Sequence, residues 1–121
     1  MPAVGRGTQD SSTTGHSSPC STSAKLDGAA NNVFCNTKPA QRKGHPLEAH
    51  TKDVLVRKTR PGTGDNLGTT IVYFELECQP HSASITGGSG TVFVNGEGIA
   101  RVGDSADGGA ISTGSSNVFA G

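Results

Sequence analysis

Residues 85–104 read ITGGSGTVFVNGEGIARVGD, and the rest of the chain can be read outward from them. Thr91–Val94 is a short run of β-favouring residues. Asn95-Gly96 follows at once, a dipeptide suited to a tight hairpin turn because both residues tolerate positive φ. Ile99–Val102 can return as the second strand, and Gly103-Asp104 offers a further turn. The same phrase stands 59 positions earlier, where Leu26 to His45 reads LDGAANNVFCNTKPAQRKGH. Val33-Phe34 falls under Val92-Phe93, Asn36 under Asn95, Arg42 under Arg101 and Gly44 under Gly103, without a gap. A shift of 26 positions the other way brings ISTGSSNVFAG, residues 111–121, under the same phrase, with Val118-Phe119 on the Val-Phe pair. Pro2 to Gly7 echoes Pro39 to Gly44 more loosely. One hairpin unit is therefore written three times, at about 26–45, 85–104 and 111–121, the last copy truncated, and a repeat outranks any single-residue signal.

The totals agree with a small β fold. A chain of 121 residues is one domain. Ten basic and ten acidic residues cancel, so bulk charge gives no case for nucleic acid or an anionic membrane. Apolar residues make up only 31% and Trp is absent, so a conventional core would be thin; 18 glycines favour turns over helices. Such a fold calls for a staple: a metal, a disulfide or a partner. Three cysteines, Cys20, Cys35 and Cys78, are an odd count without regular spacing, a poor disulfide framework. Residues 1–24 contain no apolar run of the signal-peptide kind, and no stretch approaches the ~18 apolar residues of a membrane span. The expectation is synthesis in a cytoplasm with reduced thiols.

Between the repeats lie loops and one insertion. Pro2 to Gly7 is expected as the first strand, and Thr8 to Ser23 as a polar loop holding His16 and Cys20. Cys35 sits where Val94 sits in the second copy and reads as a small buried apolar residue. His45 holds the turn position of Asp104 and reads as exposed. The insertion, about 52–77, reads as an exposed hairpin arm in which Val54-Leu55-Val56 pairs with Thr70-Ile71-Val72. Gly68 to Cys78 is the longest strand signal, and its apolar run Ile71–Phe74 suggests cover on both faces. His16, His50, Cys78 and His81 all fall outside the repeats. If each repeat starts and ends at one level, their loops converge. Cys78-x-x-His81 lets one turn offer two ligands to an ion, although that spacing alone is a weak signal.

The repeated phrase G-S-x-x-V-F-V-N-G-x-x-x-A-R-V-G-D, followed by G-S-x-N-V-F-x-G, resembles the PAAR-repeat family over about 1–50 and 78–121. The family's P-A-A-R wording stands here as Pro39-Ala40-Gln41-Arg42 and Gly98-Ile99-Ala100-Arg101, with the departures at positions read as facing solvent. The resemblance implies an all-β, small conical fold of hairpin repeats with pseudo-threefold symmetry. It implies a structural protein, not an enzyme. Such a tip caps a trimeric β-helical spike in a phage tail or type VI secretion system, one copy per trimer, and meets the target cell envelope transiently. It also implies a metal held by three histidines and a cysteine. Carried over residue by residue, these are His16, His50, Cys78 and His81, with Cys20 the alternative to Cys78 and His45 to His50. The ion is expected to be zinc, with iron able to fill the same ligands. The insertion has no clear counterpart in the family; its basic residues Lys52, Arg57, Lys58 and Arg60 read first as part of the exposed hairpin arm, with a contact for the spike as the alternative.

Two other functions are compatible with the residues. A zinc hydrolase would need three protein ligands, an open position and a nearby base. Glu48, Glu75 and Glu77 lie close in sequence to the proposed ligands, but four protein ligands close the site and no HExxH helix is present. A glycan-binding tip is permitted by the Ser/Thr/Asn-rich surface.

Overall fold

Tight turns set the local structure. The computed structural model describes residues 1–28 and 32–121, so residues 29–31 of the first repeat lie outside the described residues. The strands, all in antiparallel pairs, are β1 (Ser11–Thr13), β2 (Ser23–Lys25), β3 (Phe34–Cys35), β4 (Lys38–Pro39), β5 (His50–Pro61), β6 (Thr70–His81), β7 (Phe93–Val94), β8 (Glu97–Gly98), β9 (Ser105–Ala106) and β10 (Gly109–Ala110). The only helical turn among the described residues is 3-10, at Gly64–Asn66. Three two-residue turns have positive φ at both central positions: Asn36-Thr37 between β3 and β4, Asn95-Gly96 between β7 and β8, and Asp107-Gly108 between β9 and β10. That is the type I′ geometry, whose twist matches the flanking strands. The expectation of an all-β hairpin fold holds.

The three copies of the phrase are joined into a ring. Arg6 bridges to Ala40, Arg42 to Ile99 and Arg101 to Val4, so each segment pairs with the next and the last with the first. At its centre Gly5 N–H donates to the Ala100 carbonyl (2.9 Å), Ala100 to Gln41 (2.9 Å) and Gln41 to Gly5 (3.1 Å). A second set repeats one level away: Thr8 donates to Leu26 (2.7 Å), Gly44 to Ile85 (2.8 Å) and Gly103 to Ile111 (2.9 Å). A third set joins Ala40 to Val33, Ile99 to Val92 and Val4 to Val118. The truncated copy at 111–121 is thus completed in space by residues 3–8. Pro2 to Gly7 is not a regular strand as expected. It is one side of this ring and makes only single bridges, because each ring segment turns away to the next level after one or two residues.

Two small apolar clusters lie on the levels so formed. Val4, Cys35, Ala40, Val94, Ile99 and Ala120 make the first, with Val33 and Val118 against it. Leu26, Leu47, Ile85, Ala100 and Ile111, with Ala24 and Ala106, make the second. Cys35 is buried as expected. Gln41, Gly98 and Ile99, read as solvent-facing, are buried instead. Gln41 lies between the clusters, and its amide accepts from Gly28 N–H (2.7 Å) and donates to Gly28 O (2.9 Å), which satisfies it without water.

Alternation along the hairpins splits the repeated Val-Phe pair. Phe34, Phe93 and Phe119 are about half exposed or more, while the residues after them, Cys35, Val94 and Ala120, are buried. Val33 and Val118 turn inward and Val92 is more open. From this end the chain runs through the first cluster to the second and then to the remaining hairpins, so the phenylalanines and the histidines lie at opposite ends of the stack.

The insertion is a ribbon in which β5 and β6 pair over their full length, from His50 with His81 to Pro61 with Thr70. The expected arm is present, but Leu55 pairs with Leu76 and Ile71 with Arg60. The register differs because both strands run almost to the turn, leaving only 62–69 as the loop. Nor is the apolar run covered on both faces. Among the described residues no third strand flanks the ribbon, and Val72, Phe74 and Leu76 are exposed.

Candidate metal centre

A hairpin follows each ring segment at the end away from the phenylalanines, and the three hairpins meet. The β1–β2 connection carries His16. The β5–β6 ribbon begins with the cross-strand pair His50 and His81. The β9–β10 turn presents Asp107. The ligand atoms of these four residues all lie within 4.8 Å of one another. The imidazole centroids are 5.0–5.5 Å apart. Close backbone approach makes the convergence possible: Gly15 N–H, next to His16, donates to the Asp107 carbonyl at 2.8 Å. A Cβ on Gly109 would come within 2.2 Å of the Thr13 carbonyl oxygen, so no larger residue fits there without movement.

All three Nε2 atoms face the Asp107 carboxylate: His16 at 2.9 Å, His50 at 2.5 Å and His81 at 2.9 Å. Burial by itself pushes the Asp107 carboxyl up, but the bonds to His81, His50 and His16 outweigh it and hold the group below its ordinary value. His50 Nδ1 lies 2.8 Å from the Glu48 carbonyl, which can only accept, so Nδ1 donates there and Nε2, which faces Asp107, is the ring atom that an ion in the centre would meet. Asp53 Oδ1 stands 3.8 Å from His16 Nδ1 on the outer side. Three inward imidazole nitrogens and one carboxylate oxygen can hold a metal ion, and this donor set suits zinc or a divalent iron or manganese.

Of the expected ligands, the structure brings His16, His50 and His81 together and leaves Cys78 out. Residues three apart on a strand point to opposite faces, and β6 runs unbroken through both Cys78 and His81. With His81 turned inward, Cys78 faces outward, where it is bonded to Cys20 with a Cα–Cα distance of 5.3 Å. Both cysteine alternatives are therefore occupied by one disulfide, against the expectation from their odd number; Cys35 is the free thiol. His45 is no substitute for His50. It is buried rather than exposed, and its Nδ1 accepts from Arg42 N–H at 3.2 Å.

Asp107 was missed because the stretch from Asp104 to Ala110 reads as a Gly-rich turn. The repeat itself held the signal. The hairpins after the other two ring segments carry histidines, and in the third Asp107 is the residue able to ligate. Compared with known protein families and with curated proteins, the chain matches none.

Proposed function

We propose that this protein is a PAAR-like spike tip, which caps the blunt end of a trimeric β-helical spike and sharpens it for contractile injection. The observation that carries this reading is the set of three exposed phenylalanines, Phe34, Phe93 and Phe119, at the same place in each copy of the ring. A symmetric trimer offers the same surface three times, and a single chain can match it only by writing one contact three times. The exposed end also carries short strand edges, which a partner's strands can cover. At the other end a metal, taken as zinc, would be held by His16, His50, His81 and Asp107. It would tie three hairpins where the apolar core has run out.

Phe34→Asp, Phe93→Asp and Phe119→Asp together test the reading. The triple variant is expected to lose co-purification with a trimeric β-helical spike while keeping its metal and its thermal transition. Undiminished co-purification of the triple variant would remove the docking surface on which the proposal stands.

A further inference from the structure

The β5–β6 ribbon carries a surface that the capping reading does not use. Twelve residues per strand at about 3.3 Å each make it roughly 35–40 Å long. Directly opposed residues share a face, so the register divides the ribbon cleanly. One face has Val54, Val56, Lys58, Tyr73, Glu75 and Glu77, and both glutamates are bound by Lys58. The other face has Leu55 opposite Leu76, Arg57 opposite Phe74 and Thr59 opposite Val72. Leu55, Phe74 and Leu76 are each about three-fifths exposed, and Leu67 at the tip is more open still. A two-stranded ribbon with such a face is only marginally stable in water without something to cover it.

We propose that this face docks on an anionic lipid surface. Charge selects that occupant. On the apolar face Arg57 stands among the large side chains, and the face has no carboxylate beyond Asp53, which is already bonded to Ser17 N–H beside the histidines. Arg57 makes no ion pair among the described residues. A second copy stacked face to face would bring a second Arg57 and no free acid to the seam, whereas a lipid phosphate supplies that acid. The ribbon lies in the interface and does not span. Its exposed apolar stretch, from Val72 to Leu76, is roughly 13 Å long, and its two unpaired edges would leave backbone groups unsatisfied in hydrocarbon.

The test uses the full-length, metal-loaded chain without a spike. It is floated with mixed phosphatidylcholine–phosphatidylglycerol vesicles and with phosphatidylcholine vesicles. Recovery with the anionic vesicles is expected. The combined Leu55→Ser, Phe74→Ser, Leu76→Ser variant should be recovered about tenfold less. Arg57→Glu should weaken recovery on the anionic vesicles alone. Metal content, read in every sample, shows that each variant keeps its fold. Absence of flotation, or undiminished flotation of the triple variant, would overturn the proposal. So would a homodimer of the unmodified chain that the triple variant dissolves, since it would put a second copy on this face. The phenylalanine end is unchanged in these variants, so failure of capping and failure of lipid docking are read separately.

Discussion

After each ring segment an arginine N–H meets an acceptor a few residues on: Asp10 for Arg6 (2.9 Å), Asp104 for Arg101 (2.8 Å) and His45 for Arg42 (3.2 Å). The two aspartates also bind the guanidinium in a fork, Arg6 to Asp10 and Arg101 to Asp104. His45 offers no such fork, and Arg42 Nε is left buried without a partner among the described residues. Burial, reinforced by the Arg42 charge, pushes the imidazole below its ordinary value of 6.5. Above 6.5 the ring is neutral in the folded and unfolded chain alike. Below it the unfolded chain takes up a proton that the folded chain refuses, so stability falls as pH drops from 6.5 toward the lowered folded value. His45→Asp restores the fork. Its melting temperature is expected to exceed that of the unmodified protein at pH 5.5, by a margin that narrows by pH 8. An equal acid-side loss in both proteins would contradict this. At the metal, Asp107→Ala should weaken binding by roughly a hundredfold or more, as loss of a ligand does. The Cys20→Ser, Cys78→Ser pair should bind as before. Titration against a competing chelator gives both values, and metal loss in the cysteine pair alone would return sulfur to the ligand set.

Among the elements, the hairpins were the most legible in sequence, since Asn95-Gly96 and the repeated Val-Phe mark strand and turn with local chemistry. The first copy departs from that chemistry at one place. Thr37 holds φ +66 where the second copy has Gly96. A β-branched residue is strained there by about 1–3 kcal/mol, offset in part by the backbone freedom that glycine adds to the unfolded chain. Thr37→Gly is therefore expected to stabilise the protein by about 1 kcal/mol, some 4 °C in melting temperature. A lower melting temperature would show that the Thr37 Oγ1 bond to the Asn36 carbonyl (2.6 Å) outweighs the strain. The ribbon was legible as an arm but not in its register. Nothing in residues 52–77 repeats, and alternation alone does not say which of several apolar residues are opposed. That register decides the site, because it sets His50 beside His81 and turns Cys78 away. Gln41 was misread for a related reason: a polar side chain in a repeat looks solvent-facing until its partner, the Gly28 backbone, is known.

At the scale of the whole molecule, the two clusters hold few large side chains, and the stack ends where three hairpins meet around His16, His50, His81 and Asp107. An ion bound there would close the long loops between repeats and would bind only the folded chain. At a concentration about a thousandfold above its dissociation constant it contributes about 4 kcal/mol. Chelation is accordingly expected to lower the melting temperature by about 10–15 °C, and an unchanged transition would show that the residues hold no structural metal. Ring closure by residues 3–8 sets a third segment beside the other two, and the proposed capping requires that the three sides match. Native mass spectrometry of the protein mixed with a trimeric β-helical spike measures it most directly. One copy of this chain on each spike trimer is the expected result; three copies per trimer, or a stable free homotrimer of this chain, would contradict it.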